Sequence, residues 1–457
     1  MTRPEPPARL GAAIHVARGP AAIAALTLFI AAVARIPTLS QPLVEFTSFR
    51  QAETAYTALL FHLSGIDFVH PMLPVLGPPF QVPFEFPLFQ AVASPVMGLM
   101  TPDAAVRTTS LVFFLLTAAM VWLLVRRFSS EVAAYGALLV FVASPFGIAY
   151  SRAATIEYMA TAAALGYLLL GTSWRNQGGR MRWSLATALG SVALLVKLTT
   201  GLFWILPLLA YRPASGETIW GQITELLGAV KSRRSQVAQR GGPTASRAGR
   251  LTALAGMIAV PVLLTSIWTL HADQVKAGSP LTSWLTSTAL IGWNFGTVEQ
   301  RLDPANWLYI GLRAFIDWGG PAVALILAGL VACFRIATQR GLWIALAMTT
   351  VLPVVVFFNL YWAHDYYLAA VSPGVAVIGG LAVGNLAARA STPRSRALLA
   401  GGPRVADRQL FVHDSVLLGR HLQRAGGPRR RDRSCFGAGQ PQPGSRIRPC
   451  CRLGLVT

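Results

Sequence analysis

Long apolar runs separated by polar or basic stretches recur between residues 20 and 388. Several approach the roughly 20 residues a helix needs to cross a bilayer. The pattern predicts spans at 20–38, 104–125, 131–149, 154–173, 251–270, 319–334, 341–359 and 368–388. Residues 183–211 are apolar around a single lysine, Lys197. Two mixed stretches, a Pro-rich one over 39–103 and another over 271–316, interrupt the series. Beyond Arg389 the periodicity is lost, and the tail is rich in Arg, Gly and Pro and lacks lysine. The chain therefore divides into an all-α, polytopic membrane domain over 1–390 and a basic tail over 391–457 whose composition predicts disorder. The tail reads as a functional basic arm, as a solvated remnant, or as an unnatural reading frame past about residue 395.

Basic residues stay on the cytoplasmic side of short loops, and this orients the spans. With the N-terminus inside, the 39–103 loop falls outside. Arg126-Arg127 and Arg175–Arg182 fall inside, as does the basic stretch 212–250. Both ends of 183–211 then lie inside, so this segment must cross twice, or enter and return, with Lys197 near the outer turn. Each arm is short for a full crossing, which predicts broken or tilted helices sheltered by protein. The count is about ten spans. Glu45, Glu53, Asp67, His70, Glu85, Glu157, His271, Asp273, Asp303, His364 and Asp365 all fall on or near the outer face.

Composition strengthens the membrane reading. Of 457 residues, 54% are hydrophobic and 12% are charged, against about 25% charged in soluble domains. The net charge of +21 lies between spans and in the tail, so it implies topology and contact with membrane lipids, with no nucleic acid as partner. Four cysteines, three of them Cys435, Cys450 and Cys451, give neither a disulfide framework nor metal-ligand spacing. The first apolar run starts late and lacks a small-residue cleavage site, so it is read as a retained span. No Walker pattern, dinucleotide fingerprint or phosphate-cradling glycine loop is present.

Candidate chemistry concentrates on the outer face. Arg50 and Glu53 stand three apart, which places them on one helix face. Sugar transfer from a phosphate leaving group needs a base and a cation, and Glu53 and Arg50 supply that pair; the alternative is a surface ion pair. Glu85 sits among Phe84, Phe86 and Pro87, where burial is expected to raise its pKa. Alternatively it is a helix N-terminal carboxylate. Arg152 lies at a membrane boundary, and Glu157 lies inside the next apolar run, where an ionisable group is costly; the alternative for Glu157 is snorkelling. Lys197 demands an anion, either a lipid phosphate or an outer-face carboxylate. His364 and Asp365 offer phosphate or metal contacts, while Tyr366 and Tyr367 also fit interface anchors. The scattered His and Asp residues do not specify a metal site, so the cofactor is unknown and a divalent metal stays open.

Together, Phe-Arg-Gln-Ala-Glu-Thr-Ala at 49–55, Phe-Glu-Phe-Pro-Leu at 84–88, Tyr-Ser-Arg at 150–152 with Glu157, Leu-Val-Lys-Leu-Thr at 195–199 and His-Asp-Tyr-Tyr at 364–367 resemble glycosyltransferase family 39. That family includes protein mannosyltransferases and the aminoarabinose transferases of lipid A. The likeness runs in order through residues 20–388. It implies a GT-C helical bundle whose long first external loop carries the catalytic acid, and an inverting single displacement from a polyprenyl-phosphate-linked sugar donor. By this match Glu53 takes the place of the first-loop acid, more often Asp, and Glu157 that of a second outer acid. Lys197 and Arg152 match positions suited to the lipid phosphate, and Glu85 a loop carboxylate. Arg50, His364, Asp365 and Tyr366 complete the expected substrate site. The aminoarabinose transferases tend to carry Lys where Phe86 stands, which argues against that substrate.

The expectation is a multi-pass transferase of the bacterial plasma membrane with an outward-facing site, acting on a lipid, glycan or protein acceptor. The competing expectation is a non-catalytic binder or flippase of lipid-linked glycans. It would need the basic groups but not Glu53.

Overall fold

A computed structural model describes residues 9–214 apart from Phe46, and residues 243–390 apart from Ala337, with isolated positions between. The tail over 391–457 and most of the basic stretch, including Lys231, Arg233, Arg234 and Arg240, lie outside the described residues. Within them the architecture is all-α and contains no strand.

The helices run α1 Arg9–Val33, α2 Ser48–Ser64, α3 Leu88–Ala93, α4 Pro102–Phe128, α5 Glu131–Ala143, α6 Pro145–Tyr150, α7 Glu157–Gln177, α8 Arg180–Val196, α9 Leu198–Gly201 and α10 Ile205–Ala210. They continue with α11 Pro243–Ala277, α12 Ile291–Phe295, α13 Val298–Leu302, α14 Pro304–Trp318, α15 Gly320–Arg335, α16 Arg340–Val356, α17 Phe358–Ala363 and α18 Leu368–Ala390.

Local chemistry explains the boundaries. Pro102 opens α4, Asp103 sits in its first turn and Arg126-Arg127 in its last, an arrangement that suits the helix dipole. Ser130 caps α5 by accepting from Ala133 N. The predicted span 131–149 is interrupted at Ser144. This residue ends α5, and its side chain accepts from Gly147 N to start α6, with Pro145 in the first turn. Gly178 and Gly179, with φ of +68° and +99°, make the tight turn between α7 and α8, where a side chain would strain the backbone. The span predicted at 251–270 runs on to Ala277, so His271 and Asp273 lie on helix α11 rather than in the loop expected there.

Four described helices are long and apolar enough to cross a membrane, and a fifth span arises if the bent pair 304–318 and 323–335 counts as one. The remaining apolar helices, such as Glu131–Ala143 and Arg340–Val356, are shorter. The central bundle buries α4, α5, α7 and α18, with Phe114, Phe141 and Tyr158 in aromatic contact at its centre. Small residues let α5 and α18 approach closely, Gly136 facing Val383 and Gly380 facing Ala133 and Ala137.

The segment 183–211 makes the expected excursion. α8 leaves the Gly178-Gly179 turn, breaks at Lys197 (φ −157°, ψ 91°), and the chain returns through α9 and α10. Arg175, at the end of α7, donates from Nη1 to Leu208 O at 2.7 Å and Tyr211 O at 2.5 Å, so both feet of the hairpin share one end of the bundle.

The bundle ends differ in charge. Arg126, Arg127, Arg175, Arg180, Arg182, Arg212, Arg250, Arg335 and Arg340 gather at the end holding the α7–α8 turn. Among the described residues the acid at this end is Glu131, 3.4 Å from Arg126. The other described carboxylates lie at the opposite end.

Candidate active site

Helix α2 places Arg50 and Glu53 one turn apart. Arg50 Nη1 donates to Glu53 Oε2 at 2.9 Å, and Arg50 Nη2 donates to Glu85 Oε2 at 2.6 Å. Glu85 Oε1 accepts from Lys197 Nζ at 2.6 Å. Lys197 also lies 3.4 Å from Glu157 Oε1. Five groups from four separate stretches of chain thus form one network. Three carboxylates against two cations leave it one negative charge in surplus when all are ionised.

Backbone contacts set this geometry. The break after Val196 leaves Leu195 O open, and Phe86 N donates to it at 3.0 Å, which holds the Glu85 loop against the broken helix. Phe86 stacks on Phe68 and meets Trp268 edge-on, while Trp268 Nε1 donates to Phe84 O at 3.0 Å. Lys197 O accepts from Thr200 N and Gly201 N, starting α9 beyond the break.

The electrostatics overturn one expectation. Burial favours the neutral acid at Glu85, but the Arg50 guanidinium and the Lys197 ammonium outweigh it and hold the carboxyl well below the usual carboxylate range. Sequence could not reveal this, because both cations are remote from Glu85 along the chain. Arg50 responds in kind: burial disfavours its charge, yet Glu85 and Glu53 raise its pKa. Glu157 is fully buried, so it does not snorkel. Its carboxylate oxygens accept no hydrogen bond within the described protein and meet Lys197 as an ion pair.

Arg152 belongs elsewhere. It bonds Gln41 Oε1 at 2.7 Å and approaches Glu45 Oε1 at 2.9 Å. The same Glu45 oxygen accepts from Arg107 Nη1 at 2.8 Å. Arg107 was missed by the sequence reading. It is fully buried near the start of α4 and also donates to Gln41 O and Pro42 O. Its signal was an arginine inside a predicted span. Gln51, inside the first motif, joins the two clusters: Nε2 donates to Glu45 O and Oε1 accepts from Ala154 N.

Tyr366 and Tyr367 are buried and stacked with centroids 4.4 Å apart, and the His364 ring lies 5.2 Å from Tyr366. Lys197 Nζ stands 5.0 Å from the centre of the Tyr367 ring. Tyr367, read as an interface anchor, therefore closes one side of the lysine. Burial lowers the His364 pKa against the pull of Asp365. Asp365 lies near Asp317, close enough for their charges to repel.

A small open cleft lies over this network, lined by Arg50, Glu53, Thr57, Phe84, Glu85 and Gln90. It sets Glu53, a carboxylate able to accept a proton, beside Arg50, a cation able to hold an anion, while Lys197 is buried behind Glu85. No group of three or more His, Cys, Asp or Glu side chains converges as a metal site among the described residues.

Comparison with known proteins agrees with this architecture. Residues 81–232 match the family model described as dolichyl-phosphate-mannose-protein mannosyltransferase. The crystal structure of ArnT from Cupriavidus metallidurans bound to undecaprenyl phosphate superposes with a TM-score of 0.52 at 15% identity, covering 85% of this chain and 62% of that one. The fold is that of the GT-C glycosyltransferases. The apo form of the same ArnT gives a TM-score of 0.47, also at 15% identity, over 84% of this chain and 62% of that chain. No curated protein matches significantly. This chain therefore spans less than two thirds of the ArnT length, and carries its GT-C bundle as a multi-pass membrane protein.

Proposed function

We propose that the protein is a membrane glycosyltransferase that moves a sugar from a polyprenyl-phosphate carrier to an acceptor at the outer face of a bacterial plasma membrane. The observation that carries this reading is the joining of Glu53, Arg50, Glu85, Lys197 and Glu157 in one network beneath an open cleft. The family match over 81–232 and the undecaprenyl phosphate held by ArnT support the donor class.

The acceptor oxygen attacks the anomeric carbon from the face opposite the phosphate, and the bond from that carbon to the phosphate oxygen breaks with inversion. The electron pair leaves with the phosphate, and Glu53 takes the acceptor proton. Arg50 and Lys197 stabilise the departing phosphate. Glu85 holds both cations in place before the donor arrives. Glu157 keeps Lys197 charged and oriented from the buried side, and Tyr366 with His364 forms a wall against the sugar. Arg152 and Asp365 bind at the margins.

A deletion strain complemented with the parent gene or with Glu53→Gln tests the assignment by mass spectrometry of envelope lipids and protein glycans. The parent restores the missing glycan. The variant inserts normally and transfers at least about 100-fold more slowly, the usual scale for losing a general base. Full restoration by Glu53→Gln would remove the catalytic role. If substitution of Lys197 or Arg152 then proved more damaging, the non-catalytic carrier would be the better reading.

A further inference from the structure

The opposite end of the bundle holds a second cleft, largely apolar but carrying two arginines, that sugar transfer does not use. Trp174, Arg175, Asn176, Arg250 and Leu254 line it, and among the described residues no acidic side chain does. It lies at the far end of α7, about 27 Å from Glu157 at 1.5 Å per residue.

The cleft is built rather than incidental. Arg175 is fixed by its bonds to Leu208 O and Tyr211 O and by the Tyr211 ring 5.7 Å away. Asn176 anchors the facing wall, donating from Nδ2 to Tyr211 Oη and accepting from Ala214 N. Trp183 Nε1 donates to Ala253 O at 2.7 Å, which pins the start of α11 beside the α7–α8 turn and so positions Arg250. No carboxylate pairs with Arg175 or Arg250 among the described residues. The cleft opens where spans α4 and α11 end. Along α11, Leu263, Leu264 and Ile267 face outward uncovered.

We propose that this cleft binds the phosphate headgroup of an anionic membrane phospholipid. Arg175 and Arg250 hold the phosphate, Trp174 sits at headgroup depth, and the acyl chains lie along the exposed flank of α11. Charge selects the ligand: a rigid guanidinium and a second arginine, with no carboxylate among the described lining residues, favour a fixed anion over a zwitterionic headgroup.

Native mass spectrometry of the full-length protein, titrated in detergent with phosphatidylglycerol, phosphatidylcholine or inorganic phosphate, tests the site. Phosphatidylglycerol should stay bound where phosphatidylcholine dissociates. Arg250→Gln, checked as monodisperse by gel filtration, should weaken that binding about fivefold, as expected for one basic contact. Arg180→Gln, at the same end but outside the cleft, should leave it unchanged. Equal retention of both lipids, or equal losses in the two variants, would reduce the effect to diffuse surface charge and overturn the proposal. Displacement of the lipid by millimolar inorganic phosphate would assign the cleft to a soluble anion and overturn it as well.

Discussion

Both oxygens of Glu85 are committed to cations, one to Arg50 and one to Lys197. Under the proposed function an approaching phosphate would compete with this carboxylate for Arg50 and Lys197, and Glu85 would set how tightly the donor is held. Its depressed pKa also has a stability consequence. A carboxyl with a lowered folded-state pKa contributes stability fully above its unfolded value, near 4.5, and loses it as pH falls through the folded value. Glu85→Gln should therefore lower the melting temperature by a constant amount between about pH 5.5 and about pH 8. Below about pH 4.5 the gap to the parent should narrow, as the parent loses what the variant never had. Thermal unfolding in detergent across this range checks it. A gap that stayed constant down to about pH 3 would mean that the network does not hold Glu85 ionised.

At the scale of elements, the central contact is α5 against α18, and it depends on missing side chains. A Cβ on Gly380 would stand 2.5 Å from Ala133 O and 2.7 Å from Ala137 N. Both are backbone atoms that cannot swing aside. Gly380→Ala should destabilise the bundle by about 1–3 kcal/mol, the usual cost of overpacking a close interface, and lower the melting temperature without changing the ion network. An unchanged melting temperature would mean that α5 and α18 separate freely. This contact was not legible in the sequence, because a glycine in an apolar run has the same hydropathy whether it faces lipid or another helix. The break at Lys197 was legible, since a lone lysine amid apolar residues must reach an anion. The interruption at Ser144 was not, although Ser-Pro is a helix-start signal. An apolar run on either side of it concealed the break. Among site residues, the Arg50–Glu53 spacing was readable as a helix pair. The bond from Phe86 N to Leu195 O, which brings Glu85 onto Lys197, links distant segments that periodicity cannot pair.

Across the whole molecule, charge is sorted by end. Among the described residues, arginines crowd the end with the α7–α8 turn, where Glu131 meets Arg126, while the mixed acid–base networks and the cleft of Glu53 occupy the other. A membrane sorts in the same sense, because short loops rich in arginine are retained in the cytoplasm. On that topology the network that would receive a lipid-linked sugar would face outward, and the cleft of Arg175 and Arg250 would lie against the anionic cytoplasmic leaflet. Ser64 ends α2 near the candidate site and Gln177 ends α7 at the basic end, and both are exposed. In a background with the four native cysteines replaced, Ser64→Cys should react with a membrane-impermeant maleimide on intact cells. Gln177→Cys should react only after the inner membrane is opened. The reverse pattern would put the carboxylate network in the cytosol, where it would draw on donors of the inner leaflet, and the arginine end would meet the outer one. Labelling of both positions from outside would mean that α7 does not carry the chain across the membrane, and that the charge asymmetry arises from something other than topology.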